Sequence, residues 1–289
     1  MIAMNLSKLR LSRRSIATLA AVVGTTSLAI GAHAALNKRA LDVARAIANE
    51  QSADTAKAAS RVALVIGNDH YPDADSPLSQ PINDARTLTT VLRHNGFDVD
   101  LIEDANKDKM RNAVERLKSR IHPDSIVMLF FSGYGVQVGR ESYMIPVDAT
   151  IWKEFDVRRD GLSIESVLDV MNEKGARAKL AVIDASRRNP YERRFRAFSH
   201  GLATIAAPDN GLILSSAAPG KVADDGQGQH SVLMSELLTQ LNAKNANVEA
   251  IFNKTRAAIS KASEDGQVPS VSSSLLEEVH LSGGENAGR

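Results

Sequence analysis

Between Arg61 and Leu214 the chain repeats one pattern: a short apolar run, a polar break, then a segment whose apolar residues recur at helical spacing. The runs are "VALVI" (62–66), "VDLI" (99–102), "IVMLFF" (126–131), "LAVI" (180–183) and "LIL" (212–214). Short, mostly apolar runs of three to six residues bounded by turn signals predict strands buried on both faces, as in parallel sheets. Between them, Met110, Ala113, Val114, Leu117 and Ile121 form one helical stripe, and Leu88, Val91 and Leu92 form another that begins near Asp84 and stops at Asn95-Gly96. Glycine there supplies a left-handed cap. Farther on, Val248, Ile251, Phe252, Thr255 and Ile259 mark a helix capped by Asn247, whereas "VQVGRESYMIPV" (136–147) alternates as a hairpin does. Strands alternating with helices predict an α/β fold with a mainly parallel sheet covered on both faces, and such sheets collect function at the carboxyl ends of their strands. Those ends are Asn68 to Tyr71, Ser132 to Gly135 and Asp184 to Arg188.

The first 60 residues follow a different pattern. Residues 1–34 have a basic start (Lys8, Arg10, Arg13, Arg14), an apolar stretch from Ile16 to Ile30 and the small-residue triplet Ala32-His33-Ala34. This is the layout of a secretory signal peptide cleaved after Ala34, and about 15 apolar residues is short for a bilayer span. The expectation is an exported protein, periplasmic or extracellular. Membrane attachment is the alternative if the segment stays uncleaved. Residues 35–60 are alanine-rich, with Leu36, Ala40, Val43 and Ile47 on one stripe, which predicts an amphipathic helix and linker before a domain spanning 61–281 and a flexible tail at 282–289.

Charge and composition narrow the chemistry. Of 289 residues, 43% are hydrophobic, enough for a sizeable core, and the net charge is +1. Cleavage would take Lys+Arg from 35 to 31 against 34 acids and leave −3. That balance gives no electrostatic footprint for nucleic acid. The chain has no cysteine, so neither disulfides nor thiolate chemistry are available to it.

Local motifs dismiss several readings. "GYGVQVG" (133–139) follows a strand but leads into a hairpin, where a dinucleotide loop needs a helix. Asp104, Asn106, Asp108 and Glu115 have the spacing of a calcium loop, yet Lys109 stands where glycine is required, so the segment reads as a solvated helix start. The seven histidines show no zinc spacing. No metal or cofactor is expected. Ser186, in "VIDASRRNP", lacks the glycine-flanked elbow of a serine nucleophile. Taken on spacing alone, Asp84 is a helix cap, Asp184 a strand-end turn residue and "RRNPYERRFR" (187–196) a solvated basic loop.

The order of "RVALVIGNDHY", "PINDARTLTTVLRHNGFDV", "FFSGYGVQVGRESYMIPVDA", "AVIDASRRNPYERRF", "GLATIAAPDNGLILSSAAPGKVADDGQG" and "DGQVPSVSSSL" resembles the bacterial caspase-like cysteine peptidases, relatives of metacaspases and caspases. The resemblance runs from Arg61 to about Leu281. It implies a three-layer αβα sandwich with a mainly parallel sheet of about six strands. In that family the S-G-x-G position holds the catalytic histidine and the D-A-x position the nucleophilic cysteine; here they are Tyr134 and Ser186. A phenol with a pKa near ~10 is a poor base at neutral pH, and a serine hydroxyl is not a nucleophile without a base.

The resemblance also gives roles to residues that remain. The amides of Gly135 and Ser186 match the family's oxyanion hole. Asp84 and Asp184 match acids that, in the metacaspase branch, line the pocket for an arginine or lysine. The basic loop after Ser186 is placed to present an arginine to those acids. Ser270 departs from the family, which commonly has an aromatic after the proline of "GQVP". The implied protein is a pseudopeptidase that binds a basic peptide or protein segment, or an active caspase-like relative. Two other readings stand beside it: an endopeptidase that uses Ser186 with a base such as His70 or His230, and a scaffold working through its alanine-rich helix.

Overall fold

The computed structural model describes residues 60–74, 77–191, 201–223, 228–242, 246–264 and 266–281. The expected signal peptide, nearly all of the alanine-rich segment and the tail lie outside them. Nine strands and six helices follow in chain order within the described residues: β1 (Arg61–Gly67), α1 (Pro81–His94), β2 (Asp98–Glu103), α2 (Lys107–Arg120), β3 (Ile126–Ser132), β4 (Gly135–Val138), β5 (Glu141–Met144), α3 (Glu154–Asp160), β6 (Leu162–Ser163), α4 (Ile164–Glu173), β7 (Ala178–Asp184), β8 (Gly211–Ser215), α5 (Val232–Leu241), α6 (Val248–Ala262) and β9 (Ser270–Ser273).

Six strands form one sheet in the order β2-β1-β3-β7-β8-β9, parallel except for β9, which runs antiparallel to β8. Because successive side chains on a strand point to opposite faces, each strand feeds two cores. Val62, Leu64 and Ile66 of β1 pack with Met110, Ala113 and Leu117 of α2 and Val167, Leu168 and Met171 of α4. Their neighbours Ala63 and Val65 pack on the other side with Leu88 and Leu92 of α1, Leu237 of α5 and Phe252 of α6. This is a three-layer αβα sandwich, and burial on both faces explains why β3 and β7 are apolar runs without alternation.

Helix ends agree with local chemistry. The side chains of Asn106 and Asn247 accept from the amides of Lys109 and Ala250, capping α2 and α6. The first helix starts earlier than the acid at Asp84 implies: Pro81 occupies its first turn and Gln80 is the cap, so Asp84 lies inside the helix and is not its cap. Proline favours a first helical position because its fixed φ suits the helix and its missing N–H would be unpaired there in any case. The 136–147 alternation is the hairpin β4–β5, extended by β6 into a small separate antiparallel sheet.

Candidate functional site

Parallel register brings the site residues together. Ser132 pairs with Asp184 across β3 and β7, and Gly67 pairs with Ser132 across β1 and β3, so three strand ends lie side by side. The turn after β3 leans on its neighbours: the Asn68 amide donates to Ser132 O (2.9 Å) and the Gly133 amide to Asp184 O (3.3 Å). Tyr134 and Ser186 each stand two residues beyond the paired Ser132 and Asp184, on adjacent strand ends.

Tyr134 is buried, 4% exposed, and part of a small apolar cluster with Tyr71, Val136, Tyr143 and Tyr191. Its ring meets Tyr71 edge-on, with centroids 4.9 Å apart and planes at 66°. The Tyr71 hydroxyl accepts from the Tyr134 amide (3.0 Å) and donates to Ile145 O (3.1 Å), fixing the turn against the hairpin. Burial drives the Tyr71 phenol pKa upward, so this hydroxyl keeps its proton and stays a donor. Asn68 supports the same wall, donating to Ile145 O (3.2 Å) and accepting from the Ala105 amide (2.9 Å). Neither Tyr71 nor Asn68 was singled out as functional by the sequence, although both lie in the strand-end segment it marked.

Gly135 opens β4 against the turn that carries Ser186. A Cβ there would fall 2.7 Å from Leu202 Cδ2 and 2.9 Å from both Ala185 Cβ and Ala185 O. The close approach of the two main chains thus requires glycine. Leu202 also lines a cleft of about 500 Å³, with Gln137 and Arg140 of the hairpin region and Thr204, Pro219 and Gly220.

Ser186 is 1% exposed. Its amide donates to Ser216 Oγ (3.4 Å) and its carbonyl accepts from the Ala223 amide (2.7 Å), but its Oγ has no hydrogen-bond partner. No base therefore touches the hydroxyl. Both histidines expected as substitute bases are engaged elsewhere. His70 is largely exposed, its Nδ1 2.6 Å from Asp104 Oδ2, and His230 Nδ1 lies 2.7 Å from Asp84 Oδ1.

The two acids are buried and close enough to interact. Burial pushes the Asp84 pKa up to about 6; the His230 hydrogen bond opposes this and the Asp184 charge adds to it. Asp84 Oδ2 accepts from the Ser231 amide (3.2 Å). Asp184 faces Arg187, three residues on and itself buried, with Nη2 3.7 Å from Oδ2. That separation makes an ion pair but no hydrogen bond. Arg187 spends its Nη1 on main-chain carbonyls, Gly133 O at 2.9 Å and Asp184 O. Two acceptors consequently remain buried without a donor at register-paired positions, Asp184 Oδ2 and Ser132 Oγ. The remaining basic-loop residues, 192–196, lie outside the described residues. Among those described, no cluster of three or more His, Asp or Glu side chains is placed to hold a metal ion.

Residues 60–280 match the family model described as the caspase domain. The mucosa-associated lymphoid tissue lymphoma translocation protein 1 of Homo sapiens is 31% identical over 144 residues, and its Mus musculus homolog 29% identical over 145. Each match covers 50% of this chain and 17% of the relative, so the shared part is a small share of those proteins. A family match across the whole sandwich, together with the strand order and the two helical layers described above, establishes that the chain belongs to the caspase-domain peptidase family.

Proposed function

We propose that this caspase domain is an exported pseudopeptidase: Tyr134 and Ser186 replace the family's histidine and cysteine, and the domain works by binding a basic peptide or protein segment, an active relative among the candidates. The observation that carries the loss of chemistry is the buried Ser186 Oγ, which no base contacts. A serine hydroxyl becomes a nucleophile only when a base takes its proton, and neither His70 nor His230, each paired through Nδ1 with an aspartate, makes a hydrogen bond to Ser186 Oγ. Tyr134, packed in an apolar cluster, offers a protonated phenol in place of an imidazole.

Retention of a binding function is supported by the acids. A carboxylate oxygen and a serine hydroxyl buried without donors are costly, and such groups mark places where a ligand or water completes the network. Asp184 Oδ2 and Ser132 Oγ accept from a ligand guanidinium or ammonium, with Asp84 adding negative charge beside them.

Incubating the full chain with fluorogenic peptides ending in arginine or lysine tests the reading. No turnover is expected. Cleavage that disappears in Ser186→Ala would overturn the pseudopeptidase assignment, and a peptide array without preference for arginine or lysine would overturn the ligand class.

A further inference from the structure

Asp84 has no exposure of its own. Any ligand cation that reaches it must take the place of a group already there, and its two described partners differ sharply in how they are held. The Ser231 amide belongs to the N-cap of α5, whose side chain in turn accepts from the Met234 amide, so it moves only if the helix start moves. The His230 imidazole is one residue earlier, outside the helix, and 22% exposed. Ser231 is buried, so of the two groups on the carboxylate the imidazole is the partly exposed one. Its other described contact is a long one, 3.4 Å between Nδ1 and Asn83 Nδ2. The main chain around it is anchored independently: Asn83 donates to Gln229 O (2.8 Å) and Gln80 to Gly228 O (3.3 Å). Rotation of one side chain would therefore release Asp84 Oδ1 from its partner while these main-chain anchors stay in place.

We infer that His230 is a displaceable cap on the acidic pocket, an internal base that holds Asp84 until a ligand arginine or lysine exchanges with it. The inference rests on the proposed basic-peptide function. Exchange trades one charge-assisted hydrogen bond for another, so the carboxylate is never left bare. Arg187 plays a different part. It is almost fully buried and tied to two main-chain carbonyls, so it stays as part of the wall while His230 moves. The cap also sets selectivity. An apolar side chain cannot replace the imidazole on a buried carboxylate, because the acid would lose a partner and gain none, and a neutral donor brings a hydrogen bond without the charge that a guanidinium or ammonium adds.

A cap that is closed most of the time weakens apparent affinity by the fraction of molecules that are open. The test measures fluorescence anisotropy of a labelled Ala-Ala-Arg amide, with an uncharged Ala-Ala-citrulline amide as control, on the full chain. Wild type is expected to bind the arginine peptide in preference to citrulline. His230→Ala is expected to bind it about tenfold more tightly, the gain for a cap closed roughly nine-tenths of the time. Asp84→Asn is expected to remove the preference. If His230→Ala does not fold, His230→Ser decides the point, since its short hydroxyl can satisfy Asp84 without filling the space of a ring. Wild-type binding with unchanged or weaker affinity in the folded His230 variant would overturn the cap and leave the basic-peptide reading standing. Absence of arginine-dependent binding in wild type and variant alike would overturn both.

Discussion

At Asp84, a carboxyl wholly removed from solvent has its pKa raised from 3.8 to about 6 by burial, against the His230 hydrogen bond, and the charge of Asp184 acts in the same direction as burial. A carboxyl with a folded-state pKa above its unfolded value takes up its proton earlier in the folded protein. Between pH 3.8 and about 6 the folded state then binds more protons, and this group's contribution to stability falls as pH rises. Denaturant titrations across that window should show a falling component in wild type that is absent in Asp84→Asn; identical slopes would remove Asp84 as its source. At Gly135 the constraint is steric. Gly135→Ala places a methyl group 2.9 Å from the Ala185 carbonyl oxygen and should cost about 1–3 kcal/mol in urea unfolding. The sequence singles out both acids through their resemblance to a known pocket and sets the basic loop beside them, where Arg187 folds back three positions onto Asp184. It does not show that His230, 146 positions away, meets Asp84, a contact that no spacing rule encodes.

Elements are where the sequence was most legible, and the reason is burial on two faces. A strand covered on both sides is apolar along most of its length, so β1, β3 and β7 stand out from the chain without knowledge of their partners. Helix caps are readable for a similar reason, since they act within four residues. Asn247→Ala should lower the urea midpoint by the equivalent of about 1 kcal/mol with an unchanged m-value, the signature of a lost cap in an otherwise intact fold. A change in m-value instead would indicate that the asparagine shapes more than the helix end. Legibility fails at the edges. β9 reads "SVSS", with intermediate or exposed positions throughout, and becomes a strand only because β8 offers an open side for antiparallel pairing. The two-residue β6 likewise depends on β5 for its existence. The start of α1 was misplaced because an acid three residues into the helix resembles a cap, whereas proline at the first position was the stronger marker.

The whole molecule brings residues 134 and 186 side by side, because only the parallel pairing of β3 with β7 aligns their strand ends. Most of that scaffold is independent of the two side chains: the Tyr71 hydroxyl holds the Tyr134 amide, and Ser216 holds the Ser186 amide. Restoring Tyr134→His together with Ser186→Cys should accordingly produce detectable cleavage after arginine or lysine. Either change alone should give little, since a cysteine without its base and a histidine facing a serine each lack half of a unit whose parts are not additive. Loss of the Tyr134 ring from its contact with Tyr71 leaves space in a buried cluster, so the double variant should also be less stable, by about 2–4 kcal/mol. The rate should be modest, because a displacement of about 1 Å between reacting groups costs on the order of a hundredfold. The buried acid pair and the capping His230 remain in that variant, so adding His230→Ala should raise its turnover of arginine peptides at low substrate concentration. A folded double variant that neither cleaves nor reacts with an arginine-based cysteine-directed probe would mean that the strand ends align without forming a peptidase cleft, and the basic-ligand proposal would then lose the geometry on which it depends.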